Sequence, residues 1–130
     1  MTWGKAIDFI NYFGEVNLME WKINHTLACP KTGTSFAQIS TSNLRLILWY
    51  RGDYFLREGN IVATSPFGVI VNDRITEIEF IHAFPFTMQL WESFKTNTDC
   101  PGNQDPLITK CCRRPHCLLQ NCPYGVTAKN

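Results

Sequence analysis

A chain of 130 residues, 45% hydrophobic and 13% aromatic, can bury a core without covalent staples and is too apolar to be disordered. A formal net charge of +1 leaves no case for a broadly basic nucleic-acid surface, and no stretch approaches the ~20 apolar residues of a membrane span. The charge is uneven: beyond residue 99, Lys110, Arg113, Arg114 and Lys129 face only Asp105, so the tail is basic and the rest slightly acidic.

Residues 2–13 predict a short amphipathic helix. Thr2 is a suitable N-cap; Trp3, Ile7, Ile10 and Phe13 share one face, and Gly14 is a natural stop. This helix is expected to plug one end of a β body. Asp8 and Glu15 interrupt the apolar pattern and no small-residue cleavage site follows, so the segment does not read as a signal peptide. A cytoplasmic location is therefore expected, or secretion if a signal precedes the sequence.

Residues 20–29 alternate strictly. Trp21, Ile23, His25, Leu27 and Cys29 fall on one side of a strand and Lys22, Asn24, Thr26 and Ala28 on the other. Residues 30–34 form a turn, and 35–41 and 44–50 are further strands. Arg51-Gly52-Asp53 reads as a hairpin turn into a strand over 54–58. Short strands are expected at 61–64 and 69–71, separated by Ser65-Pro66-Phe67-Gly68, and one long strand at 75–82 follows Asn72-Asp73-Arg74. Residues 86–91 suit a strand or the start of a short helix running to Lys95. The pattern is mainly β: a small antiparallel β-barrel or sandwich with an N-terminal helix and a Cys-rich C-terminal tail. The composition shifts at Thr96-Asn97-Thr98-Asp99, which divides a helix-capped β domain (1–95) from a basic tail (96–130).

Five of the six cysteines lie in that tail: Cys100, Cys111, Cys112, Cys117 and Cys122, with His116 between them. Soft sulfur and imidazole at loop-sized intervals point to a metal, and zinc suits them best. Cys100, Cys112, Cys117 and Cys122 make one four-ligand set, with Cys111 or His116 as substitutes and Lys110, Arg113 and Arg114 to offset thiolate charge. Cys122-Pro123 resembles the close of bacterial ferredoxin motifs, although longer gaps precede it, and implies an iron–sulfur or thiol redox alternative. Six cysteines equally suit a disulfide framework in a secreted β domain, with Cys29 tethering the tail to the first strand.

The body offers little chemistry. His25 and Cys29 stand ~13 Å apart along a strand, too far for a thiol–imidazole pair. Glu77 and Glu79 share a strand face about 7 Å apart, as a solvated outer face would; His82 continues the face of Ile78 and Phe80. Arg51-Gly52-Asp53 is good turn chemistry, and in a secreted protein it would also suit receptor contact. The expectation is a non-enzymatic binding or adaptor protein. Its tail, ordered by zinc, presents Arg113, Arg114, Leu118 and Leu119 to a protein partner. The alternative is a disulfide-stapled domain that binds through Arg51 and Asp53.

Overall fold

A computed structural model of the chain describes residues 20–126; the helix expected over 2–13 lies outside them. Seven strands form one antiparallel sheet: β1 (Trp21–Cys29), β2 (Thr34–Thr41), β3 (Leu44–Arg51), β4 (Ile61–Ser65), β5 (Gly68–Val71), β6 (Arg74–Thr76) and β7 (Glu79–Pro85). Their order across the sheet is β6-β5-β4-β1-β2-β3-β7. This corrects the expected barrel or sandwich: there is one sheet, and its outer strands β6 and β7 do not pair. The sheet still curls. Only Glu77 and Ile78 link the two edge strands, so the end of β6 and the start of β7 lie within about 11 Å of one another.

The curl encloses the main core. Trp21 and Ile23 of β1, Ala37 and Ile39 of β2, Leu46, Leu48 and Tyr50 of β3, and Val62, Val69, Val71 and Phe80 pack together on the inner face. The outer face carries a second cluster under a helix, α1 (Met88–Asn97). There Leu27, Cys29, Phe36 and Ile47 meet Trp91, and the Phe94 ring stacks on Phe36 at 4.3 Å. Thr87 starts α1 by accepting the Leu90 N–H at 3.0 Å, which resolves residues 86–91 as the entry to a helix rather than a strand.

Two bulges decide which side chain faces which core. On β1 the register slips between Ile23 and His25, so Trp21 and Ile23 pack in the main core while Leu27 and Cys29 pack under the helix and His25 is exposed. The strict alternation of the sequence therefore does not share one face. On β7 the slip falls between the partners of Trp49 and Tyr50, which puts His82 on the side opposite Phe80. The expected strand over 75–82 breaks at Glu77-Ile78, so Glu77 sits in the link and Glu79 pairs with Arg51.

The strand expected over 54–58 is an irregular crossing, because β4 lies beside β1 and not beside β3. Side chains satisfy its backbone. The Tyr50 hydroxyl accepts the Leu56 N–H at 2.9 Å and Asn60 Oδ1 accepts the Arg57 N–H at 2.7 Å, while Leu56 is buried in the main core. Gly52 opens this crossing with φ +142°, and a Cβ there would come 2.5 Å from the Glu77 carbonyl oxygen.

Trp91 carries the attachment of α1. Replacing Trp91 with Ala is expected to cost about 3–5 kcal/mol in urea denaturation. A loss within the scatter of surface substitutions would mean that the helix is not anchored through this ring.

Candidate functional site

The first attachment of the tail to the sheet is a single side chain. A short helix, α2 (Pro101–Gln104), follows Cys100 and presents Asn103 to the edge of β1. The Asn103 carboxamide accepts the Ala28 N–H at 2.8 Å and donates to the Ala28 carbonyl at 2.9 Å. Its remaining N–H donates to Thr98 Oγ1 at 3.0 Å, and its oxygen also accepts from the Tyr124 hydroxyl at 2.6 Å. The Tyr124 ring lies directly over Gly102, where a Cβ would approach it to 2.0 Å, so only glycine fits.

Further along, the Leu118 N–H donates to the Pro30 carbonyl at 2.8 Å. Arg114 donates to the carbonyls of Val126, Leu119 and Gln120, each at 3.1 Å, and Arg113 pairs with Asp99. Both arginines expected to face a partner are thus engaged within the tail.

This arrangement makes the segment Leu118–Pro123 one wall of a cleft of about 870 Å³. The Arg51–Asp53 turn and the β5–β6 hairpin supply the others. Four residues expected to meet a partner, Arg51, Asp53, Leu118 and Leu119, come together here. Arg51 is held by Glu79, and Leu118 is 65% exposed. The rim also carries Phe67, 81% exposed, and Ile75, 63% exposed, which sequence reasoning passed over. Phe67 was legible as a large apolar residue at the tip of a Ser-Pro-Phe-Gly turn, where burial is hardest to arrange.

The cysteines are dispersed by comparison. All six are free thiols; Cys29 is buried under α1, Cys112 and His116 are exposed, and Cys117 sits at the end of a 3-10 turn (Arg114–His116). Among the described residues no group of three or more His, Cys, Asp or Glu could hold a metal ion, so the expected zinc set finds no support in this geometry. Cys100, Cys111 and Cys122 do share a neighbourhood. Burial pushes the Cys100 thiol up; N–H groups of Gly102 and Asn103 pull it down, and the nearby Cys122 and Cys111 push it up again. A thiol held protonated is a poor nucleophile.

An apolar rim interleaved with paired charges, on a sheet that curls around its own core, is the surface chemistry of a small protein-binding module. The chain belongs to the IraM/PmrD family, whose model matches residues 19–92. It is 45% identical over 108 residues to the anti-adapter protein IraM of Citrobacter koseri, which covers 82% of this chain and 95% of that protein. It is 32% identical over 108 residues to the anti-adapter protein IraM of Escherichia coli K12, with 83% and 99% covered. The crystal structure of E. coli PmrD matches with a TM-score of 0.51 at 11% identity, covering 58% of this chain and 93% of that one, which shows a shared fold. Among the described residues no helix is long and apolar enough to cross a membrane.

Two outcomes follow from the anchor. Replacing Asn103 with Ala leaves the Ala28 groups without partners and is expected to cost on the order of 1–3 kcal/mol in chemical denaturation. Burial also pushes the ionisation of Tyr50 and Tyr124 above the ordinary value of 10.0. The unfolded chain ionises these hydroxyls first, so stability is full below that pH and falls as pH rises through it. A melting series from about pH 8 to about pH 11 is expected to decline above about pH 10. Tyr124→Phe should start lower and decline less steeply; an identical slope would show that Tyr124 contributes nothing to it.

Proposed function

We propose that this chain is an anti-adapter: a non-enzymatic protein that binds an adaptor protein and blocks its action by occupancy. The observation that carries the reading is the 45% identity to a protein named for that activity, over 95% of that protein's length. The cleft supports it. Phe67, Ile75 and Leu118 offer exposed apolar anchors beside the Arg51–Glu79 pair, the mixture on which protein interfaces concentrate their binding energy. The tail supplies the Leu118–Pro123 wall, positioned by Asn103 and Arg114.

The test is a titration of the chain into a purified system driven by the adaptor that the Citrobacter koseri relative opposes. Inhibition is expected to be stoichiometric, complete near one chain per adaptor and without turnover. Phe67→Ser and Ile75→Ser should each weaken it by about 5- to 30-fold, equivalent to about 1–2 kcal/mol, at unchanged melting temperature. No inhibition at excess chain would refute the anti-adapter reading. Inhibition that both variants leave intact would move the interface elsewhere.

A second reading, in which zinc orders the tail, has one observation in its favour: Cys111 and Cys122 lie close enough to Cys100 to push its thiol up. Metal analysis of the purified chain separates the two. One zinc per chain, lost together with inhibition on chelation, supports the metal-ordered tail. Full inhibition by zinc-free chain supports a tail held by hydrogen bonds alone.

A further inference from the structure

Among the described residues no strand lies beside the edge of β1 beyond Lys22, because β4 pairs with β1 only at Trp21 and Lys22. In an antiparallel ladder, residues in non-hydrogen-bonded pairs point their main-chain groups away from the partner strand. Along β1 these are Ile23, Thr26 and Ala28, the interval widened by the bulge. Ile23 is satisfied by the following crossing: its N–H donates to the Asn60 carbonyl at 2.9 Å and its carbonyl accepts the Gly59 N–H at 2.8 Å. Ala28 is satisfied by Asn103. Thr26 pairs with Ala37 two positions from the Ala28–Ser35 pair, so its N–H and carbonyl point the same way as those of Ala28. They open into a cleft of about 590 Å³ walled by His25, Arg57, Asn103 and Tyr124.

The filled neighbours define what fits between them. Gly59-Asn60 on one side and Asn103 on the other block an added strand from running along the edge. A single planar amide is the right size, and the fold itself shows the fit: the Asn103 carboxamide completes Ala28 with one donor and one acceptor. Asn72 completes the start of β4 in a related way, its Oδ1 accepting the Ile61 N–H at 2.9 Å while its own N–H donates to the Ile61 carbonyl, also at 2.9 Å. A carboxylate would lack the donor that the Thr26 carbonyl needs, and an ammonium group would lack the acceptor.

We propose that the Thr26 edge of β1 is a binding site for a side-chain carboxamide, an asparagine or glutamine carried on a loop of a protein partner. The site shares Phe55, Arg57, Cys122 and Pro123 with the larger cleft, and it does not rest on the anti-adapter reading.

The probes are three peptides, acetyl-Gly-Asn-Gly-N-methylamide and its Asp and Ala counterparts, capped so that only the first carries a primary carboxamide, added at millimolar concentration to the full isotope-labelled chain. The asparagine peptide is expected to shift the Thr26 amide resonance saturably, with the other two at least about tenfold weaker. Equal responses to all three peptides overturn the proposal. So does a Thr26 amide already protected from hydrogen exchange without peptide, since the position would then be filled. Thr26→Pro removes the outward N–H, while the N–H groups that bond β2 belong to its neighbours. It should abolish the asparagine-dependent shift, read at Arg57, at an unchanged melting temperature; a retained shift also overturns the proposal. If this variant fails to fold, the three-peptide comparison decides alone.

Discussion

An open strand edge is the constraint on which the rest of this molecule depends. β4 leaves β1 after two residue pairs, and the upper half of β1 would present unpaired main-chain groups at the lip of the sheet. The Asn103 carboxamide takes the place of the missing strand at Ala28. It uses its full capacity of two donated and two accepted hydrogen bonds, to Ala28 twice, Thr98 and Tyr124. Because Asn103 sits on α2 under the Tyr124 ring, this one amide positions the tail at both ends of the Gly102–Tyr124 contact. The Leu118–Pro123 wall of the large cleft is placed in consequence.

The same device recurs where other pairings end. Asn60 satisfies the Arg57 N–H before β4 begins, and Asn72 brackets Ile61 with its side chain and its own N–H. Asn72 and Asp73 both adopt positive φ, 49° and 70°, which suits the tight turn between β5 and β6. Asparagine can do this because its side chain reproduces the donor and acceptor of a peptide group. A sheet finished by side chains is free to curl without closing, which leaves the cleft between its hairpin, its Arg51–Asp53 turn and its tail.

Much of the framework was legible locally. Strands expected at 20–29, 35–41 and 44–50 form within a residue of those bounds, because alternation and turn residues are local signals. The faces were not legible. His25 and His82 lie across bulges, and a bulge becomes visible only once a strand is matched to its partner. The crossing at 54–58 kept the composition of a strand but lost its neighbour to β1, a matter of topology. In the tail, the cysteines drew attention by number, whereas the residue that holds it is Asn103. Its partner Ala28 lies 75 positions away, and nothing near residue 103 marks the pairing. Arg51, Asp53, Leu118 and Leu119 do meet at one cleft, while Arg113 and Arg114 are turned to Asp99 and to tail carbonyls. An arginine in a basic run looks alike in sequence whether it faces a partner or its own chain.

Residue-resolved amide exchange tests the central claim most directly. The Ala28 N–H should be protected in the native chain although, among the described residues, no strand lies on that side of it. In the Asn103→Ala variant, protection should vanish at Ala28 and at Leu118 together, while β2 and β3 amides such as Ala37 and Leu48 stay protected. Free exchange of Ala28 in the native chain, or a Leu118 amide that remains protected in the variant, would contradict the account.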